Sequence, residues 1–172
     1  MRHTSLKLFS LFCMAMALMF LSQCGKGGVK ESASAPGFTL KSLEDQEMTL
    51  TSLKGKVVLL DFWATWCAPC REVIPHLVQL HKDYEDKGLT VIGMNVDKGE
   101  GEVVRRFVKS MEIPYPILFA SEEVARSYGV TALPTTVLID REGKIREKIV
   151  GFNSGIAEQT AERVKELVSE KP

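Results

Sequence analysis

The chain lacks a charge excess, a second cysteine pair and any internal repeat, and each absence narrows what it can do. Its 172 residues carry 22 basic and 22 acidic side chains, so it has no basic surplus of the kind that holds nucleic-acid phosphates. It has four cysteines, Cys13, Cys24, Cys67 and Cys70. Only the last two are close together, so a four-sulfur zinc site is excluded. His76 and His81 stand five residues apart, a helical spacing that does not put both on one face to complete a metal site. Arg71, not histidine, follows Cys70, which excludes covalent haem attachment. No metal or cofactor is expected. One long apolar run exists, Leu8 to Leu21, and its 14 residues fall short of the roughly 20 that span a bilayer.

That run is preceded by Arg2, His3 and Lys7 with no acid nearby. A basic start and a short apolar core are the pattern of a secretory signal peptide, here residues 1–23. Leu21-Ser22-Gln23-Cys24 resembles the lipobox of bacterial lipoproteins, which implies acylation of Cys24 and a lipid anchor in a membrane. Gln23 departs from the small residue normal before that cysteine, so an uncleaved anchor or cleavage elsewhere stays open. Residues 24–35 continue as Gly, Ser, Ala and charge, the composition of a flexible tether. Export would carry residues 36–172 into a compartment where disulfides persist, with Cys67 and Cys70 as each other's sole internal partner.

From Pro36 the periodicity predicts alternating elements. Phe38-Thr39-Leu40 and Met48-Thr49-Leu50 read as a β-hairpin. Val57–Trp63 is an apolar, β-rich run interrupted only by Asp61 and reads as a buried strand. A helix is expected from Cys67 to about Asp86, kinked by Pro75 and closed by Gly88. Then come a strand over Leu89–Val96, a helix over Glu100–Met111, a strand over Ile117–Phe119 and a helix over Glu122–Tyr128. A hairpin of Thr135–Ile139 with Lys144–Val150 and a helix over Ala157–Ser169 complete the chain. This order predicts an α/β fold, a central mixed β-sheet flanked by helices on both faces with an N-terminal β-hairpin extension.

Trp66-Cys67-Ala68-Pro69-Cys70 carries the chemistry. A strand feeding a helix places Cys67 where first-turn N–H groups and the helix dipole favour a thiolate. Cys70 lies one turn on, within disulfide reach. Cys67 is expected to be the exposed nucleophile and Cys70 the more buried resolving thiol. Pro69 has no N–H to donate to a thiolate and Ala68 brings no charge, which argues for a reducing pair. A purely structural role fits poorly, because a loop this short constrains the unfolded chain little.

With its neighbours, Phe62-Trp63-Ala64-x-Trp66-Cys67-x-Pro69-Cys70 resembles the thioredoxin superfamily. Gly37-Phe38-Thr39-Leu40, Leu53-Lys54-Gly55-Lys56-Val57-Val58-Leu59, Gly129-Val130-Thr131-Ala132-Leu133-Pro134-Thr135-Thr136 and Ile139-Asp140-Arg141-Glu142-Gly143-Lys144-Ile145 are similar to the TlpA/ResA-like, membrane-tethered thiol–disulfide oxidoreductases. The resemblance implies a thioredoxin-like fold in which Pro134 is cis and faces the disulfide. It also implies that the Leu133 backbone pairs with an incoming substrate chain. Trp63 and Trp66 are read as shielding the sulfurs and shaping the contact surface, with plain core packing the alternative for Trp63. Asp61 matches the buried acid that relays a proton to the resolving cysteine. Two departures stand out. The lysine that thioredoxin places near that acid falls at Gly93, and Val73 holds the position where relatives carry a functional Glu. Glu72 is therefore read as a solvated first-turn acid. The implied partners are dithiols and disulfides of exported proteins, among them apocytochrome c, and a membrane thiol electron donor. A thiol peroxidase and a peptide-binding chaperone module are the alternatives, although the Thr-x-x-Cys setting of peroxidatic cysteines is absent.

Overall fold

The computed structural model describes residues 33–99 and 101–170. Its first strands, β1 (Thr39–Lys41) and β2 (Glu47–Thr49), pair antiparallel with Thr39 opposite Thr49. Thr49 then caps a 3-10 turn, Leu50–Leu53, by accepting the Ser52 N–H. The hairpin does more than extend the chain. Ser42 bridges to Leu118 and the Leu43 N–H donates to the Ile117 carbonyl at 2.9 Å. These bonds occupy a sheet edge that would otherwise stay open to pairing.

The main sheet is built from β3 (Val57–Trp63), β4 (Leu89–Asn95), β5 (Ile117–Phe119), β6 (Thr135–Ile139) and β7 (Ile145–Val150), in the order β5-β4-β3-β6-β7. β3, β4 and β5 run parallel, and β6 and β7 join antiparallel. Every residue of β3 is buried, because both faces of the sheet are covered. Side chains alternate faces along a strand. Val57, Leu59 and Trp63 enter one core with Cys70, Leu77, Val104 and Val164, whereas Val58, Leu60 and Phe62 enter a second with Phe38, Ile92 and Tyr128. Each fully buried aliphatic or aromatic side chain contributes about 1.5–3 kcal/mol.

Helices α1 (Ala68–Tyr84), α2 (Glu102–Ser110) and α4 (Ser154–Ser169) supply the first core. Helix α3 (Glu122–Ser127) packs Val124 and Ala125 on the second. α1 buries Cys70, Val73, Ile74, Leu77 and Leu80 and runs on through Pro75. It passes into a 3-10 turn, Glu85–Lys87, which ends at Gly88 with φ +96°, a left-handed conformation that glycine adopts without steric cost.

Most element limits fall within one or two residues of expectation, and two differ by three. α4 starts at Ser154, three residues before Ala157, because the Asn153 side chain accepts the Ile156 N–H at 2.9 Å and so caps an end that Gly155 makes look like loop. Backbone pairing also begins before Pro36, within the stretch read as tether. The Ala35 N–H donates to Gly143 at 2.8 Å, and the Ile145 N–H donates to Ala33 at 2.9 Å. That docking point is the β6–β7 turn. β6 runs antiparallel to β3 with Ile139 opposite Val58, so the turn lies at the end of the sheet away from Trp63. Arg141 ties the same end together, donating to the carbonyls of Gly55 at 2.9 Å and Val168 at 3.0 Å. The expected signal segment, its apolar run and Cys24 lie outside the described residues.

Candidate active site

At the opposite end, β3 exits into the loop Ala64–Trp66 and α1 begins. Cys67 is the N-cap, in extended conformation, and its sulfur accepts the Cys70 N–H at 3.3 Å. The pair forms a disulfide with Cα atoms 5.3 Å apart. Pro69 occupies the first turn, where its missing N–H leaves no helical bond unmade. Such an N-cap sulfur would be stabilised as a thiolate once reduced. One expectation needs correction. Cys67 is not openly exposed: only 5% of it is accessible, against none of Cys70. Its sulfur is bonded to the Cys70 sulfur and accepts the Cys70 N–H, and only a small edge of the residue reaches solvent.

That edge opens into a groove of about 620 Å³. Trp66 and residues 67–69 line it with Val96, Ala125 and residues 130–133, and no charged side chain is among them. Trp66 is 70% exposed, so it shapes the groove rather than the core. Trp63 is core, with its ring 5.1 Å from that of Phe107. The Leu133–Pro134 peptide bond is cis, Pro134 is buried and Leu133 lines the groove. Thr135 Oγ1 donates to Ala132 at 2.7 Å and the Gly151 N–H to Pro134 at 2.8 Å, holding this loop from both sides.

Asp61 is fully buried. Alternation along β3 puts it between Leu59 and Trp63, on the face that shares its core with Cys70. The Thr136 hydroxyl donates to Oδ1 at 3.3 Å, while Oδ2 has no partner among the described residues. Loss of solvent raises the carboxyl to about 7, against a small downward pull from Thr136. Gly93 is its neighbour on β4, and the geometry explains why no cation stands there. A Cβ at Gly93 would lie 2.5 Å from Ile117 Cδ1 and 2.8 Å from the Trp63 indole nitrogen. The space is already filled. Tyr115 borders it as well, and its hydroxyl is held well above its usual value by burial and then by the Asp61 charge.

Four residues near the dithiol were not singled out by sequence reasoning. Asp97 Oδ2 accepts the Thr65 N–H at 2.8 Å and the Asn95 side-chain amide at 2.7 Å, and Oδ1 accepts the Thr65 hydroxyl at 2.8 Å. Arg71 Nη2 donates to the Thr65 carbonyl at 3.0 Å. The only sequence hint is a polar Asn95-x-Asp97 at the end of a buried strand. The histidines do not meet: His76 stacks near Phe152 and His81 pairs with Glu85 at 2.9 Å. Glu72 is exposed and lies beyond the first turn of α1.

Two sulfurs that close at a helix N-terminus beside a cis-proline loop can take up or release two electrons together with protons. On this fold that chemistry defines a thiol–disulfide oxidoreductase of thioredoxin type. The chain belongs to the AhpC/TSA family, whose model matches residues 32–148. It is 38% identical over 131 residues to the thiol-disulfide oxidoreductase ResA of Bacillus cereus, covering 76% of this chain and 72% of that one. The thioredoxin-like protein YneN of Bacillus subtilis is 40% identical over 126 residues, 72% of this chain and 74% of its own. Among solved structures, a thioredoxin-family thiol:disulfide interchange protein of Chlorobium tepidum superposes with a TM-score of 0.71 at 32% identity, covering 80% of this chain and 97% of that one. A secreted thiol-disulfide isomerase of Corynebacterium glutamicum gives 0.72 at 25% identity, covering 79% and 86%.

Proposed function

We propose that this oxidoreductase works in the cell envelope as a reductase of exported proteins, held to a membrane by a lipid on Cys24 and recharged by a membrane thiol donor. The observation that carries the direction is the uncharged Ala68-Pro69 pair beneath the Cys67 N-cap. No cation in that dipeptide adds to the helix N-terminus in stabilising the thiolate, so the disulfide is not made strongly oxidising. The apolar N-terminal run and the likeness to a secreted relative support export. Disulfides in apocytochrome c haem-binding segments fit as substrates, as do those of other exported chains.

In the cycle, the Cys67 thiolate attacks a substrate disulfide. One substrate sulfur stays bound to Cys67 and the other leaves as a thiolate and takes a proton. Asp61, lifted to about 7, accepts the Cys70 proton at neutral pH. The Cys70 thiolate attacks Cys67, the internal disulfide forms and the second substrate sulfur departs. A substrate chain lying in the groove pairs with the Leu133 backbone and rests on Trp66, Ala68 and Pro69.

Replacing Cys70 with serine traps the mixed disulfide on Cys67 in cells, and its partners give substrate and direction together. Exported proteins that accumulate in oxidised form when this chain is deleted are the expected catch. The measured potential should lie near the thioredoxin value of about −270 mV. A potential near the about −120 mV of strong oxidants, or peroxide consumption with no trapped protein, would overturn the proposal.

A further inference from the structure

Thr65 stands two residues before Cys67, and both of its backbone polar groups are held by side chains from other elements. Asp97, just past β4, takes the N–H and the hydroxyl, and Asn95 fixes the Asp97 carboxylate in turn. Arg71, on α1, takes the carbonyl, with its guanidinium 5.5 Å from the Phe107 ring centre on α2. Residues 65 and 71 flank the dithiol, so the Arg71 bond closes a ring around it that does not include the sulfur–sulfur bond. None of these contacts involves a sulfur atom.

We infer that Asp97 and Arg71 are positioning residues that act through Thr65 to keep Cys67 within reach of Cys70 in the reduced and mixed-disulfide states. The clamp raises the effective concentration of Cys70 at the Cys67 sulfur. Resolution then proceeds as written above: the Cys70 thiolate bonds to the Cys67 sulfur, the bond to substrate breaks, and the substrate sulfur leaves with the electron pair and takes a proton. The same constraint favours the closed disulfide at equilibrium, because less loop freedom is lost on closure. This inference rests on the dithiol chemistry and not on the envelope location or direction proposed above.

The test compares wild type with Asp97→Ala, Asp97→Asn, Thr65→Val and Thr65→Ser, using a glutathione redox buffer and a single-turnover reaction with a peptide disulfide. Asp97→Ala should lower the stability of the disulfide about tenfold, which is about 30 mV for a two-electron couple. It should also lengthen the life of the mixed disulfide by a similar factor. Asp97→Asn and Thr65→Val should show smaller shifts of the same sign, and Thr65→Ser should match wild type. The Asp97→Ala, Thr65→Val double variant should be no worse than Asp97→Ala alone, because the hydroxyl bond that Thr65→Val breaks is one of those that Asp97→Ala already removes. Unchanged potential and lifetime in Asp97→Ala, or additive effects in the double variant, would refute the clamp. If Asp97→Ala does not fold, Asp97→Asn and Thr65→Val decide alone: shifts in both support the clamp and wild-type values in both refute it. A wild type that does not turn over the peptide disulfide points to the dithiol reading itself, which separates the two failures.

Discussion

Replacing Asp61 with asparagine should flatten the pH dependence of stability between about pH 4 and 8. In the folded oxidised protein the carboxyl sits at about 7 against 3.8 when solvated, because burial strips water from the charged form and no cation fits beside Gly93. The gap is about three pH units, and at about 1.36 kcal/mol per unit it amounts to roughly 4 kcal/mol. The sign follows from proton counting. Between pH 4 and 7 the native acid keeps a proton that the unfolded chain has released, so stability falls as pH rises through this window. Below pH 4 both forms are protonated and the penalty vanishes. Above pH 7 both are ionised and it is complete. Asparagine carries no charge at any pH. Its amide takes the place of the unpartnered Oδ2 and costs about 1–3 kcal/mol, but equally across the range. Urea unfolding of the oxidised proteins at half-unit pH steps checks this. The difference between variant and wild type should swing by several kcal/mol in favour of asparagine from pH 4 to 8. A constant difference would mean that the buried acid titrates normally and cannot serve as the base for Cys70.

The Gly93→Ala variant should lose about 1–3 kcal/mol of stability through overpacking against Ile117 and Trp63, read as a lower urea midpoint at unchanged slope; an unchanged midpoint would show that those side chains can step aside. Arg141→Ala strips donors from the Gly55 and Val168 carbonyls and should cost about 2 kcal/mol with little effect on the potential, since it acts far from the sulfurs. For Trp66→Ala, kcat/KM on a protein disulfide should fall about tenfold, about 1.4 kcal/mol of lost contact, while a small disulfide is reduced nearly as well. Equal losses on both substrates would place Trp66 in the chemistry rather than the groove.

What could be read from the sequence was local. Val57–Trp63 and Thr135–Ile139 are strands at their expected limits, because each is a short run dominated by apolar and β-branched residues with too little length for a helix. Cys67 and Cys70 are legible as a redox pair from their spacing together with the strand before them and the cysteine count. The clamp on Thr65 could not be read this way. Asp97 lies 32 residues from it and reaches it only because β3 and β4 pair in parallel register, with Trp63 opposite Asn95. The enclosure of Cys67 was hidden for a related reason, since it depends on where its sulfur turns and not on the residues beside it. Gly93 shows the opposite case. The missing lysine was visible as a residue difference, but its cause, the Trp63 and Ile117 side chains filling the slot, needed the packed sheet.

The pairing of Ala33 and Ala35 with the β6–β7 turn decides how the molecule is handled from outside. The chain enters the fold at the pole opposite the sulfurs, separated from them by the length of β3, roughly 20 Å at about 3.3 Å per residue. Load applied through the upstream chain falls first on a few backbone bonds at that pole. The groove and its dithiol lie at the other pole, like the working end of a tool gripped by its handle. Fusion or immobilisation through the N-terminal side should therefore leave the working end free.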